Sequence, residues 1–322
     1  MPGVDEADLS AAVAEAHRPS IAGQEKLPGY SSGQGDDASL GSEGSEPTME
    51  EMKTLRRVTG TIGWRAFSIT FVEFCERFSW YGTTAVFVNF IQQPRPYGSR
   101  TGAINLSDEC IDRVGRAVCE QPGGLGQDQR ASTGLTTFNQ FWAYIMPLLG
   151  GYIADTYLGR FMTIQMAIVF AVVGHCILIV SSIPTVMDNE QGALGCFAVG
   201  LVLMGVGTGC FKSNISPLLA EQIPQKRPEV ITTKSGERVI RDPAVTLSRA
   251  MLYFYMMINI GSLVGGIGMV YAERFVGFWL SYALPTFLFF LAPVVLLVCK
   301  KYYKLVSLAN LLYCSEHIAN AK

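Results

Sequence analysis

The chain has 322 residues, of which 49% are hydrophobic and only 16% are charged, and its mean hydropathy is +0.27. This composition argues against an ordinary soluble globule and excludes a collagen, a coiled coil and a disulfide-dense secreted miniprotein. The formal net charge of −2 hides an uneven distribution, because residues 1–51 hold 11 acids and two bases. The other 271 residues carry 16 acids against 23 bases, and this net +7 is too small and too scattered to indicate nucleic-acid binding.

The first 60 residues are rich in Gly, Ser and Glu, and they contain neither an apolar run nor a basic start. Such a segment cannot bury enough apolar surface to fold alone, and it lacks the pattern of a signal peptide. We therefore predict that residues 1–60 form a disordered acidic tail on the cytoplasmic side.

Six long apolar segments follow this tail. Five of them contain uncharged runs at or above the roughly 20 residues that cross about 30 Å of hydrocarbon, and these runs are 131–154, 162–187, 191–211, 250–272 and 275–299. Runs of this length also exclude a β-barrel. The sequence therefore predicts an all-α membrane protein whose region 61–305 contains six transmembrane helices, at about 64–92, 131–154, 162–184, 192–219, 249–272 and 277–299.

The distribution of basic residues predicts the orientation of these helices, because cytoplasmic loops are enriched in Lys and Arg. Bases cluster before the first helix, in the connection 222–247 and after the sixth helix, which places the amino terminus in the cytoplasm. The loop 93–130 also contains several arginines, but its length weakens that signal. This loop carries a glycosylation sequon at Asn105, which can be used only outside the cell. Cys110 and Cys119 lie in the same loop, as a disulfide or as two free thiols.

The first predicted helix carries charges that need an explanation. Glu73, Arg77 and Tyr81 are spaced four residues apart and Glu76 lies beside them, so they share one stripe of the helix. A charge near the bilayer centre costs about 2.5–3.5 kcal/mol, so these groups must face protein or water. In one interpretation they lie near the cytoplasmic end, where an arginine can extend to the surface. In the other they form a proton site.

The same residues carry a family resemblance. Residues 73–82, Glu-Phe-Cys-Glu-Arg-Phe-Ser-Trp-Tyr-Gly, resemble the E-x-x-E-R-F-x-Y-Y-G motif on the first helix of the proton-coupled oligopeptide transporter (POT) family of the major facilitator superfamily. Trp80 stands where the motif has its first tyrosine, which keeps an aromatic wall but removes a hydroxyl group. Segments 150–161, 207–214 and 254–262 resemble family signatures on helices 2, 4 and 5, in the same order.

The resemblance implies a role for each of several residues. It implies a proton-linked network made by Glu73, Glu76, Arg77 and Lys212. It implies a peptide-binding cavity whose residues are Arg77, Tyr81, Tyr144, Lys212 and Asn259. It also implies that Asp155 and Arg160 are gating residues in a cytoplasmic loop, which do not contact the substrate. Lys212 has an alternative interpretation, in which it only marks the cytoplasmic end of an apolar run.

Other residues are interpreted structurally. His175, in the third predicted helix, is expected to be an interior histidine with its hydrogen bonds satisfied. The glycines of helices 4 and 5, which include Gly207 and Gly265, do not follow a strand and are expected to allow close helix approach. No Cys-x-x-Cys or His/Cys cluster with metal-ligand spacing occurs, so neither a metal nor another cofactor is expected besides protons as the coupling ion.

Major facilitator transporters have two six-helix halves, whereas this chain resembles the N-terminal half alone, and residues 306–322 diverge from the family. We expect a truncated form of a proton-coupled symporter of di- and tripeptides in the plasma membrane, with a second half or a full-length transporter as a possible partner. The alternatives are a non-transporting half-bundle that modulates full-length transporters and a transporter of another small solute such as nitrate. An enzyme is not expected, because no predicted span has a paired-aspartate, Ser/His or H-E-x-x-H arrangement.

Overall fold

The computed structural model describes residues 45–104, 121–224, 227–233 and 235–304, all within one compact unit. Its helices and strands, in chain order, are α1 (Met49–Thr54), β1 (Arg57–Val58), α2 (Trp64–Ala85), α3 (Phe87–Gln92), α4 (Gln129–Ile153), α5 (Arg160–Ser181), α6 (Pro184–Met187), α7 (Glu190–Glu221), β2 (Glu229–Thr232), β3 (Arg238–Arg241), α8 (Pro243–Phe275), α9 (Phe278–Phe289) and α10 (Leu291–Cys299). A π-helical turn, Ala154–Leu158, connects α4 to α5, and a short 3₁₀ turn, Lys300–Tyr302, follows α10.

Within the described ranges, four stretches of helix have the length and hydropathy of a membrane span: α5, α7, α8 and the segment Phe278–Tyr302. The other two long helices, α2 and α4, have 22 and 25 residues but do not reach the same criterion. Charged side chains lower the hydropathy of α2, and uncharged polar side chains lower that of α4. A mostly helical membrane bundle is therefore confirmed, whereas the prediction of six spans is not.

Two of the predicted helices are interrupted. The predicted helix 64–92 consists of two helices, because α2 ends just before Val86 and α3 begins just after it. The predicted helix 277–299 consists of α9 and α10, which are separated at Phe290. Pro293 explains the second break, because its nitrogen carries no hydrogen to bond with the carbonyl oxygen of Phe289 four residues earlier.

The all-α prediction was wrong in one respect, because the structure contains a three-stranded sheet with the order β1-β3-β2. Strands β2 and β3 pair antiparallel, with Val230 opposite Ile240, and β1 pairs parallel with β3, with Arg57 opposite Ile240. The β2–β3 hairpin lies in the connection between α7 and α8, so the sheet ties this connection to the chain just before α2.

The predicted boundary of the disordered tail was also wrong. Within the predicted tail 1–60, α1 and β1 are ordered, and Ser45 forms a β-bridge with Val230. Thr48 and Glu51 close a capping box at the start of α1, in which each side chain bonds the backbone of the other residue. Residues 1–44, as well as the predicted tail 306–322, lie outside the described residues.

The bundle is built mainly from the helix pairs α5–α7, α2–α8 and α4–α7. Glycines permit this packing, as predicted: a Cβ atom on Gly207 would collide with the backbone of Ala171 in α5, and one on Gly265 would collide with the carbonyl oxygen of Phe78 in α2. The prediction of close helix approach at these glycines is confirmed.

Two apolar clusters fill the interior, one on each side of the charged stripe of α2. The first includes Ile69 and Cys75 of α2, and the second includes Phe78, which follows Arg77 in α2, and Phe87 of α3. The charged residues of α2 therefore lie where the two clusters meet, and they are surrounded by apolar packing along the helix axis.

Candidate functional site

The charged stripe of α2 is buried. Glu73, Glu76 and Arg77 are only 2%, 1% and 4% exposed. The Arg77 Nε atom lies 3.2 Å from Glu73 Oε1, and Arg77 Nη2 contacts Glu76 Oε2. One guanidinium group therefore faces two carboxylates, and this geometry excludes the interpretation in which Arg77 extends to the surface.

The buried group has one more acid than base. Among the described residues, neither Glu73 Oε2 nor Glu76 Oε1 has a hydrogen-bond partner. Because an unpaired buried carboxylate is strongly unfavourable, the group must gain a second cation or a proton to balance its charge. This imbalance is the main chemical feature of the site.

Lys212 is a candidate for the second cation. It lies on α7 within electrostatic range of both carboxylates, but its side chain is exposed. Its Nζ atom lies 5.5 Å from the centre of the Tyr144 ring of α4, in a cation–π contact. Lys212 therefore faces an open space beside the buried group instead of closing the group itself.

This open space is a cavity of about 260 Å³ between α2, α4 and α7. It is lined by four of the predicted site residues, Arg77, Tyr81, Tyr144 and Lys212. Its wall also includes Trp80, Gln140, Ala143 and Thr208. We call this space the charged cavity, because two cations, Arg77 and Lys212, lie on its wall and can attract an anionic group.

Asn259, the remaining predicted substrate residue, is not brought into the charged cavity. It is exposed on α8, and its Nδ2 donates to the carbonyl oxygen of Tyr255 at 2.8 Å. Ser262, one turn further along α8, lines a second cavity of about 510 Å³. This second cavity shares Trp80, Tyr81 and Gln140 with the charged cavity, so the two spaces are adjacent.

The predicted gating residues, Asp155 and Arg160, lie beyond the carboxyl end of α4. Gly159, with φ +75°, allows the chain to turn from the π-helical segment into α5, where Arg160 is the first residue. Arg160 Nε lies 3.7 Å from Asp155, but Arg160 Nη1 lies only 2.7 Å from Glu221 Oε1 at the end of α7. Glu221 is 61 residues away from Arg160 in the chain and was not among the predicted gating residues.

Another buried carboxylate was also missed. Glu273 of α8 is 1% exposed and accepts a hydrogen bond from Asn89 Nδ2 of α3 at 2.8 Å. The only signal in the sequence was its position directly after the uncharged run 250–272, which made it look like the end of a span. Its contact instead ties α3 to α8.

The remaining predicted residues have separate outcomes. His175 is buried, and its Nε2 atom lies 3.0 Å from Ser79 Oγ, whereas its Nδ1 atom has no partner in the part of the chain that the structure describes. One of its two ring nitrogens is therefore satisfied. Asn105, Cys110 and Cys119 lie outside the described residues. Within the described part of the chain, no group of three or more His, Cys, Asp or Glu side chains could hold a metal ion.

Comparison with known proteins identifies a family. Residues 161–310 match the family model described as PTR2, POT family. The chain is similar to the peptide transporter PTR_C of Candidozyma auris, with 39% identity over 84% of this chain and 43% of that protein. It is also 42% identical to the probable peptide transporter ptr2 of Schizosaccharomyces pombe, over 80% of this chain and 38% of that protein.

Solved structures show the same fold. The POT family transporter PepTSo aligns with a TM-score of 0.54 and 23% identity, over 77% of this chain and 39% of that chain. An auto-inhibited POT family peptide transporter aligns with a TM-score of 0.53 and 24% identity, over 76% of this chain and 39% of that chain. The chain thus spans about two fifths of the length of the proteins that it matches.

Proposed function

The chain belongs to the POT family, and from this premise we propose that it takes part in the proton-coupled symport of di- and tripeptides across a membrane. The observation that carries the proposal is the buried group of Glu73, Glu76 and Arg77, which has one acid in excess and lies beside the charged cavity. Relatives named as peptide transporters support the substrate class.

The proposed proton site is the pair of carboxylates on α2. With one arginine between two acids, the group reaches neutrality when one carboxyl group takes up a proton. A proton that moves down its gradient supplies about 1.4 kcal/mol per pH unit and about 2.3 kcal/mol per 100 mV of membrane potential. Release of this proton would restore the uncompensated charge, so protonation and the conformation of the bundle are coupled in the proposed mechanism.

The proposed peptide site is the charged cavity. Arg77 and Lys212 would attract the carboxylate of the peptide, and Tyr81 and Tyr144 would contact its backbone. When the peptide carboxylate approaches Arg77, it competes with Glu73 and Glu76 for the same guanidinium group. This competition favours proton uptake by the carboxylate that loses its partner, so the two solutes would bind together.

The finer parts of the proposal concern the whole transporter. We place six helices across the lipid bilayer of the plasma membrane, with the amino terminus in the cytoplasm and with Arg160, Asp155 and Glu221 as a gating contact. Because the chain spans about two fifths of its relatives, a second half or a full-length transporter is the proposed partner. Transport, not catalysis, is the proposed activity.

Uptake of a labelled dipeptide into proteoliposomes under a proton gradient tests the proposal. We expect uptake that Glu76→Gln and Lys212→Ala abolish, whereas the exposed control variants Glu190→Gln and Lys53→Ala leave it unchanged. Uptake that does not depend on the proton gradient, or that both site variants retain, would contradict this mechanism.

The chain covers less than half of the length of its relatives, and this favours one second candidate function. In this candidate, the chain is a half-bundle that associates with full-length transporters without transporting by itself. Absence of uptake together with co-purification of a full-length relative would favour this candidate. Uptake of labelled nitrate separates the substrates: nitrate uptake that excess nitrate inhibits but excess dipeptide does not, without uptake of the labelled dipeptide, would favour a transporter of another small solute.

A further inference from the structure

Glu273, the buried acid of α8, has no part in the proposed function. It is 1% exposed and lies in the last turn of α8. Helices α2 and α8 run parallel, with Gly265 against Phe78 and Met269 against Gly82. Eight residues after Gly265, Glu273 lies about 12 Å further along the bundle, at 1.5 Å per residue. It is therefore separate from the charged stripe of α2.

No cation compensates the Glu273 carboxyl group within the described part of the chain. Its Oε1 atom accepts a hydrogen bond from Asn89 Nδ2 of α3 at 2.8 Å, whereas its Oε2 atom is buried without a partner among the described residues. The neighbouring Arg274 is exposed, and its guanidinium group lies 5.9 Å from the centre of the Phe275 ring. One neutral amide is thus the hydrogen-bond partner of this carboxyl group.

Two physical effects favour a neutral carboxyl group at this position. Burial of an ionised carboxylate without an opposite charge is strongly unfavourable. In addition, the carbonyl groups in the last turn of a helix carry partial negative charge, which repels an anion there. Both effects act on Glu273, because it is buried and α8 ends two residues later, at Phe275. A carboxyl group that has taken up a proton avoids both costs.

Tyr282 of α9 supplies an acceptor for the hydrogen of such a carboxyl group. Its side chain is fully buried, its hydroxyl oxygen has no partner among the described residues, and it lies within electrostatic range of Glu273. Its ring packs against Phe87 and Phe90 of α3. Because a protonated carboxyl group has one O–H donor and a phenol oxygen can accept, the two unpaired oxygens are complementary. Polar groups from α3, α8 and α9 therefore meet at Glu273.

Few other titratable groups surround this acid. In the described structure, α3 has no titratable side chain, and α9 has none besides Tyr282. Segment 101–104, which bonds the backbone on either side of the α8–α9 turn, has none either. Tyr271 and Arg274 of α8 are exposed, and so is Tyr81 of α2, which lines both cavities. A change of protonation here is therefore expected to be that of Glu273.

We propose that Glu273 is a second proton-binding site, whose proton closes the contact of α3 with α8 and α9. The carboxylate takes a proton from water, Oε2 then has a hydrogen to donate toward the Tyr282 oxygen, and Oε1 keeps its bond from Asn89. Return of the proton to water leaves a buried anion without a cation, which favours opening of this contact to water. The inference does not rest on the proposed function, because none of these three residues lines either cavity.

Infrared difference spectroscopy of the full chain in lipid nanodiscs tests this inference, because a protonated carboxyl group has a carbonyl stretching band that a carboxylate lacks. We expect the unsubstituted chain to show this band at neutral pH and Glu273→Gln to lose part of it. Glu190→Gln, which changes an exposed acid at the start of α7, should leave the band unchanged. An equal band in Glu273→Gln and in the unsubstituted chain would overturn the inference.

Asn89→Leu provides a directional test that does not require Glu273→Gln to fold. Asn89 donates to Oε1, and loss of a donor disfavours the ionised carboxylate. We therefore expect the band to persist to a proton concentration at least about tenfold lower, as for the loss of one hydrogen bond to a charged group. Disappearance of the band at the same or a higher proton concentration than in the unsubstituted chain would overturn the assignment.

Hydrogen exchange tests the closing role of the proton. Because the closed contact holds a proton, it weakens as the pH rises. After correction for the intrinsic rate, we expect amide exchange in Phe87–Gln92 to accelerate several-fold at alkaline pH in the unsubstituted chain. This acceleration should be absent in Glu273→Gln, because the glutamine amide keeps a donor and an acceptor but cannot ionise. Equal acceleration in both proteins would overturn the closing role.

Discussion

Arg77 Nε lies 3.2 Å from Glu73 Oε1, one helical turn earlier, while the same guanidinium group also contacts Glu76. This arrangement places one buried cation between two buried acids, with apolar clusters on both sides along α2. The bundle therefore contains a charge imbalance in its interior, and its stability must depend on the groups that compensate this imbalance.

Removal of the arginine tests this dependence. We expect Arg77→Met, which keeps an unbranched apolar stem but removes the guanidinium group and its charge, to lower the free energy of unfolding by about 3–5 kcal/mol, because it leaves two buried carboxylates unpaired. Thermal unfolding of the purified chain in detergent measures the effect. The triple variant Arg77→Met, Glu73→Gln, Glu76→Gln removes all three charges and should recover most of the loss. Equal stability of the single variant and the unsubstituted chain would contradict the buried ion pairs.

Close packing of α2 against α8 makes a second prediction. A Cβ atom on Gly265 would collide with the carbonyl oxygen of Phe78, so we expect Gly265→Ala to destabilise the chain by about 1–3 kcal/mol through overpacking. Gly268, on the same helix, has nothing within 4 Å of such an atom and provides the matched control. Because alanine is a better helix former, Gly268→Ala should be neutral or stabilising by up to about 1 kcal/mol. Unfolding midpoints that shift equally in both variants would refute the close approach at Gly265.

The contact between Arg160 and Glu221 makes a third prediction. The Glu221 side chain is 10% exposed and lies 2.7 Å from Arg160, whereas the Asp155 side chain is 61% exposed and lies 3.7 Å away. We expect Glu221→Ala to cost about 1–3 kcal/mol, as for a hydrogen bond between charged groups. Asp155→Ala should cost less than about 1 kcal/mol, as for a surface pair. Denaturant unfolding compares the two variants, and a larger loss for Asp155→Ala would show that the predicted gating acid is the stronger partner.

Patterns within single segments predicted much of this structure. Uncharged runs indicated where most of the helices lie, because crossing hydrocarbon requires about 20 apolar residues in succession. The spacing of Glu73 and Arg77 predicted their contact, because residues four apart are neighbours on a helix. The POT resemblance then grouped Tyr81, Tyr144 and Lys212, and the structure places all three on the wall of the charged cavity.

Features that depend on distant contacts were not predictable in the same way. Gln140 is an uncharged polar residue in no recognised motif, and its place in both cavity walls depends on which face α4 turns toward α2 and α8. The β2–β3 hairpin did have a local signal in its pairs of β-branched residues, but its parallel partner β1 lies more than 170 residues away. Glu221 and Glu273 likewise acquire their partners only when helices distant in sequence pack together.

The capping box of α1 makes a prediction about pH. The backbone and side chain of Thr48 donate hydrogen bonds to Glu51 and, with Arg238 nearby, hold the pKa of the Glu51 carboxyl below its ordinary value. Because the folded pKa is lowered, the stabilisation is present at neutral pH and is lost as the pH falls through the lowered pKa. We expect hydrogen exchange of the amides in Met49–Thr54 to accelerate in acid, after correction for the intrinsic rate. This acceleration should disappear in Glu51→Gln, because glutamine cannot ionise. The control variant Glu50→Gln, which changes an exposed neighbouring residue, should retain it. An unchanged pH dependence in Glu51→Gln would show that another group controls the fraying of α1.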